Sequence, residues 1–191
     1  MDTRLLLISH ASTAAMRAAR FPADDPLDAR GLAEAQTARA RLPIPDDAAA
    51  RVSPAICARE TAAALRLSAT VDAALEDLGY GHWQGRRLVD LSAETPQELA
   101  AWTRDPDARA PGGESFSELV VRIGHWLDAV ESVFEQTPSV VAVTHAAVIR
   151  AAIVHTLGAS PGVFSRIEIA PLSLVELRRS RRGWTWWPAG Q

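Results

Sequence analysis

The sequence predicts an α/β protein, and three observations carry that prediction. Two short apolar runs, over residues 5–8 and 139–144, lack polar alternation, as strands covered on both faces do. Each run is followed within two residues by a histidine, His10 and His145. Segments of helical length and spacing lie between the runs, so the chain opens as strand then helix.

In chain order, residues 5–8 form the first strand. A Pro- and Asp-rich loop over 21–28 leads to a helix over about 29–41 with Leu32, Ala35 and Ala38 turned inward. A short strand over 51–53 is cut by Pro54, an alanine-rich helix covers 58–67, and Thr70 and Val71 begin another strand. Residues 78–111, loosened by glycine, proline and tryptophan, read as a cap excursion with one helix near 96–104. The clearest helix starts near Glu114 and ends before Pro138. It carries Leu119, Ile123, Trp126, Leu127, Val130 and Phe134 on one stripe. After the strand at 139–144, a helix over 147–157 is closed by Gly158. The tail alternates over 173–177 and 184–187 around an Arg/Gly turn, which predicts a closing hairpin packed by the C-terminal tryptophans.

At 191 residues and 48% hydrophobic content, one domain over 1–191 is expected. A net charge of −3 and a pI near 5.9 supply no global attraction to nucleic acid or an anionic membrane. All 20 basic residues are arginine, which excludes a Schiff-base lysine and any lysine-dependent phosphate loop. Cys57 is the only cysteine, so neither an intrachain disulfide nor a cysteine-cluster zinc site is available. The apolar start is far shorter than a signal-peptide core or membrane span, and a cytoplasmic location is the expectation.

In open α/β sheets ligands bind beyond the carboxyl ends of strands, where His10 and His145 both stand. Two imidazoles at one crevice can divide labour, one attacking phosphorus while the other donates to phosphate oxygens. The sequence contains no HxH, HExxH or close histidine–carboxylate cluster, so no metal and no cofactor are expected.

Six segments, in order, resemble the histidine phosphatase superfamily, the phosphoglycerate mutase-like proteins. They are LLLISHAST over 5–13, Asp25-Pro26-Leu27 with Gly31, Ser53-Pro54 with Glu60-Thr61-Ala62, Leu75-Glu76-Asp77 before Tyr80-Gly81-His82-Trp83-Gln84-Gly85, Gly112-Gly113-Glu114-Ser115, and Val143-Thr144-His145-Ala146. The resemblance implies a three-layer α/β sandwich, with a mostly parallel central sheet and a small cap. It places His10 at the phosphorylated nucleophile, Asp77 at the proton donor with Glu76 adjacent, and His145 at the second histidine. Ser12, Thr13, His82 and Ala146 fall at pocket-lining positions.

The resemblance also sets arginines where this chain has Ser9 and Cys57, and glycine where it has Ala11. Arg59 is no substitute, because two residues along a helix rotate the side chain by about 200°. One charge pair at contact is worth about 4 kcal/mol at an effective dielectric of 20. Arginines that stabilise phosphoryl transfer contribute on the order of 10³ to 10⁵ in rate, so an uncompensated loss removes most activity. Arg17, Arg20, Arg86 and Arg87 are the candidates to compensate. Ser9 and Cys57 stand at substrate-binding positions by the resemblance. Cys57 reads as a reactive thiol or, on base rate, a small packing residue. Glu114 reads as a helix cap or a contact to the site, with capping the simpler reading, and His125 and His155 as locally bonded helix residues. Arg178, Arg179, Arg181 and Arg182 read as a solvated turn rather than a nucleic-acid patch.

Three functions follow. The first is metal-independent phosphatase action on a small phosphorylated metabolite through phosphohistidine, preferred over a mutase because the chain lacks room for a mutase's insertions. The second is a catalytically impaired relative binding a ligand or protein, and the third is altered chemistry on a less anionic substrate. A small phosphorylated molecule or anion is the expected partner, with a homodimer contact through the Trp and Phe of the tail as a further possibility.

Overall fold

Residues 5–8 are apolar without interruption because the two faces of their strand meet different layers. Leu5 and Leu7 enter one buried cluster with Val140 and Ala142, while Leu6 and Ile8 enter a second with Val141 and Val143. The computed structural model, which describes residues 3–130 and 137–188, places these side chains on β1 (Thr3–Ser9) and β4 (Ser139–Thr144). The two strands are parallel neighbours with Ser9 opposite Thr144.

Around this pair stand β2 (Ala49–Val52), β3 (Ala69–Val71), β5 (Leu174–Ser180) and β6 (Gly183–Trp187), in the sheet order β3-β2-β4-β1-β5-β6. The first four in that order are parallel, and β5 and β6 add an antiparallel hairpin on the β1 side. The sheet is therefore mostly parallel, with helices on both faces, as the resemblance implies. The chain leaves β1 for β2, two positions away, and later fills the gap with β4. The crevice above β1 and β4 is thus a switch point of the kind at which α/β sheets bind ligands.

One face is covered by α6 (Phe116–Ala129) and α7 (Ala146–Leu157), which bury Leu119, Ile123, Trp126 and Ile149. The two approach closely because α6 carries Gly124 at the crossing, where a Cβ would lie 2.6 Å from the His155 ring. The other face is covered by α2 (Ala29–Ala38) and α3 (Ile56–Ala64), through Ala38, Ala58 and Ala62. A short α1 (Ala14–Arg17) follows the first histidine and is capped by the Thr13 side chain. The 78–111 segment holds α4 (Leu88–Glu94) and α5 (Pro96–Arg104), with its own cluster of Phe21, Trp83, Leu91 and Leu99.

Several expectations need correction. Leu32 is 41% exposed, and α2 instead turns Gly31, Ala35 and Ala38 inward. Gly31 dictates this, because a Cβ there would sit 2.1 Å from the Ser12 carbonyl oxygen. Ser115, not Glu114, caps α6, in a reciprocal capping box with Glu118. The stripe of that helix holds through Val130, while Phe134 lies outside the described residues. Trp186 and Trp187 are exposed on the edge strand β6 rather than packed, with the Arg178 guanidinium 4.1 Å from the Trp187 ring. No helix among the described residues is long and apolar enough to cross a membrane.

Candidate active site

The sheet itself sets the spacing of the two histidines. The His10 N–H donates to the Thr144 carbonyl at 2.8 Å, continuing the β1–β4 ladder by one residue. His145 follows directly on β4 and is the N-cap residue of α7. Both residues are buried and their ring centroids are 5.1 Å apart. They line a cleft of about 460 Å³, within the range of small-molecule sites. A larger and more open groove of about 1170 Å³ runs along α6 and contains neither histidine.

Each imidazole has one nitrogen held. His10 Nδ1 lies 2.7 Å from the Ala11 carbonyl, which can only accept, so Nδ1 carries the proton and Nε2 keeps its lone pair. Burial first, and the neighbouring His145 second, hold the His10 pKa below its ordinary value, which keeps the ring neutral. His145 Nε2 pairs with the Ser53 hydroxyl at 2.9 Å. His145 Nδ1 is buried without a hydrogen-bond partner, with an Asp77 carboxylate oxygen 3.5 Å away.

Asp77 arrives on a turn held from three sides. The Thr144 hydroxyl donates to the Leu75 carbonyl at 2.7 Å, and the Trp126 indole donates to Asp72 at 2.8 Å. Arg122 of α6 donates to the carbonyls of Ala74, Glu76 and Asp77, and grips both oxygens of Glu114 at 2.9 and 2.8 Å. Glu76 also lines the cleft but is exposed, whereas Asp77 is half-buried beside His145.

Cys57 is part of the cleft wall, at the position the resemblance gave it, and is not confined to helix packing. Its backbone carbonyl accepts from the Thr61 hydroxyl at 2.7 Å, and Thr61 Oγ1 accepts from the Ala11 N–H at 3.0 Å, which ties α3 to the loop after His10. Burial, with Asp77 adding to it, pushes the thiol up to about 12. One ring nitrogen from each of His10 and His145 and the Cys57 Sγ lie within 4.8 Å of one another. The expectation of no metal rested on short-range motifs, whereas the fold assembles this trio from three distant segments.

Of the other expected contact residues, Thr13 lines the cleft. Ser9, Ser12, His82 and Ala146 are not in its wall. Ser9 is buried at the end of β1, where its backbone pairs with Ser173 and Leu172, and the Ser12 carbonyl faces Gly31. His82 is exposed beside Gly112, and Ala146 is the half-buried first residue of α7. Nor do the four candidate arginines reach the wall, because each is engaged at the surface. Arg17 pairs with Asp28, Arg86 with Glu94 at 2.6 Å and Arg87 with Asp90 at 2.6 Å. Arg20 is exposed and donates to the Gly85 carbonyl at 3.4 Å.

The wall instead carries five carboxylates, from Asp24, Asp25, Glu76, Asp77 and Glu114, against one arginine, Arg122. Sequence reasoning missed Arg122 and the acidic wall, and preferred a helix cap over a site contact for Glu114. Glu114 precedes the N-cap of α6, so no helical spacing announced its pairing with Arg122.

The sequence pattern of the histidine phosphatase superfamily (branch 1) matches residues 5–187. The bifunctional protein Rv2228c of Mycobacterium tuberculosis is 30% identical over 183 residues, covering 91% of this chain. The chain spans about half the length of the curated relatives it first matches. Among solved structures, mycobacterial glucosyl-3-phosphoglycerate phosphatase Rv2419c superposes with a TM-score of 0.86, at 22% identity and 97% coverage of both chains. The alpha-ribazole phosphatase from Shigella flexneri superposes with a TM-score of 0.87, at 22% identity, covering 99% of this chain and 96% of that one. The ordered motifs, the sheet topology and these matches agree, and the chain belongs to the histidine phosphatase superfamily, branch 1.

Proposed function

We propose that this chain is a small-molecule-binding member of the superfamily in which metal-free phosphatase action is severely impaired, and whose cleft takes a neutral or cationic ligand. The acidic wall carries this reading. Five carboxylates line the cleft, and its one arginine already serves Glu114 and three backbone carbonyls. A dianionic phosphate entering such a cleft meets like charge and no free guanidinium. Each missing clamp contact is worth about 4 kcal/mol at an effective dielectric of 20. Repositioning Arg17, Arg86 or Arg87 would first break its own ion pair, and repositioning Arg20 its hydrogen bond to the Gly85 carbonyl.

A second reading, phosphomonoester hydrolysis, is favoured by the state of His10. Its neutral ring keeps the Nε2 lone pair a nucleophile needs. In that reaction Nε2 attacks phosphorus as the P–O bond to the leaving group breaks, and Asp77 supplies the proton to the departing oxygen. Water then attacks phosphohistidine to release phosphate, with His145 donating to the phosphoryl oxygens. The related phosphatases superposed above, whose names specify phosphorylated small metabolites, supply its substrate class.

A phosphomonoester panel on wild type and His10→Ala, in the presence of chelator, decides between the two. The proposal expects wild type to exceed the variant by no more than about tenfold. A His10-dependent advantage of about 10³-fold or more, the scale of a working phosphoryl-transfer site, overturns it.

A further inference from the structure

We infer that His10, Cys57 and His145 form a binding site for one divalent transition-metal ion of the zinc class, with the Asp77 carboxylate beside it. The inference rests on the reading of the cleft as one that accepts positive charge. Three independent observations point to it.

The first is the donor set. Among the described residues this trio is the one group of three metal-ligating side chains gathered closely enough to share an ion, and all three are buried. Two imidazoles and a thiol suit zinc, cobalt or copper and not the oxygen-seeking magnesium or calcium.

The second is the outer hydrogen bonding. A metal-bound histidine typically commits its other ring nitrogen to a carbonyl, carboxylate or hydroxyl, which fixes the tautomer and aims the free lone pair. His10 does so through Nδ1 to the Ala11 carbonyl, and His145 through Nε2 to the Ser53 hydroxyl. The nitrogens left over are His10 Nε2 and His145 Nδ1. The latter is a buried polar atom without a hydrogen-bond partner on a side chain only 4% exposed. When the Ser53 hydroxyl accepts from a protonated Nε2, Nδ1 is left with a lone pair and no hydrogen-bond partner.

The third is spacing and charge. Ligands of a tetrahedral zinc-class ion sit about 3.5 Å from one another, given metal–ligand bonds of about 2.0 to 2.3 Å. The Asp77 carboxylate, 3.5 Å from His145 Nδ1, adds negative charge beside the trio. The trio, within 4.8 Å, closes on an ion by side-chain adjustments of about 1 Å. The carboxylates around the cleft make its potential negative, which draws a dication rather than repelling it. On binding, the Cys57 S–H bond breaks, the sulfur binds the metal as thiolate, and one proton leaves to solvent.

The test uses the full chain, stripped of metal by chelator and freed of the chelator, then titrated with cobalt(II) and zinc(II). We expect one ion per chain, a near-ultraviolet thiolate-to-cobalt charge-transfer band, and loss of that band when zinc displaces cobalt. Cys57→Ser and His145→Ala should each weaken zinc binding by at least about 100-fold, the upper end of what losing even an outer-shell partner costs. Absence of the band in wild type overturns the inference, as does zinc affinity unchanged in both variants. If a variant fails to fold, the wild-type spectrum decides alone, because Cys57 is the chain's only cysteine and no other residue can supply the thiolate. The phosphatase panel in chelator is a separate readout. High His10-dependent activity there defeats the functional reading of the preceding section, while a missing cobalt band defeats the metal site.

Discussion

Replacing Arg122 with methionine removes the one guanidinium that ties the Asp77 turn to α6 and keeps a stem of similar length. The native side chain makes two hydrogen bonds to Glu114 and three to carbonyls of the 74–77 turn. Exposed ion pairs contribute about 0–1 kcal/mol. Breaking a fully buried pair costs about 3–5 kcal/mol, because the surviving charge is stranded. With Arg122 28% exposed and Glu114 22% exposed, the pair lies between these limits. The expected loss is about 2–3 kcal/mol, which for a chain of this size lowers Tm by roughly 5–10 °C. Urea denaturation followed by circular dichroism measures it, with the midpoint falling and the slope m unchanged. In the cycle completed by Glu114→Gln, the coupling should be about 1–2 kcal/mol, within the span of residues that share a network. A loss below about 0.5 kcal/mol, the level of an ordinary surface substitution, would refute the argument that Arg122 holds the turn.

Two further outcomes follow from the packing and the ion pairs. Gly31→Ala puts a Cβ 2.1 Å from the Ser12 carbonyl oxygen and should cost about 1–3 kcal/mol in chemical denaturation, whereas unchanged stability would show that α2 shifts freely against the loop after His10. Glu176 is buried on β5; burial alone would raise its pKa, but hydrogen bonds from Arg4 and Arg178 hold it below the ordinary 4.5. Its contribution to stability is therefore present above pH 4.5 and lost as pH falls through the folded value, so Glu176→Gln should flatten the acid limb of a stability–pH profile, and an unaltered limb would refute it.

What the sequence revealed divides along physical lines. The central strands were legible because burial on both faces leaves an unbroken apolar signature, and β4 falls on the expected residues. The end of α7 was legible because Gly158 takes the left-handed conformation at φ 59°, which favours glycine. The pairing of β1 with β4 and the meeting of His10 and His145 follow from βα logic applied at the two histidines. The destinations of the arginines were not legible. Whether Arg17 faces Asp28 or the cleft depends on the turn of α1 and the course of the loop before α2, which no local pattern records. Leu32 misled for a related reason: a glycine beside it, not apolarity, decides which side of α2 approaches the sheet. The resemblance set Cys57 at a clamp position while its helix favoured packing, and its neighbours in the cleft come from two other segments.

The placement of His10 on the hydrogen-bonded ladder of β1 and β4, and of His145 directly after it, has a consequence for how the pocket comes into being. The paired residues are separated by most of the chain, so their contact closes a very long loop, and such contacts form only as the whole topology condenses. A partly folded chain therefore has no half-made version of this site. Once formed, the pair is anchored in the most protected part of the sheet, where opening requires global unfolding rather than local fraying. Amide exchange at His10 and Leu7 should accordingly be among the slowest in the protein, while the 74–77 turn, which joins the pair from outside the sheet, exchanges through smaller and more frequent openings. The backbone ladder that spaces the two histidines uses none of the charged side chains of the cleft wall.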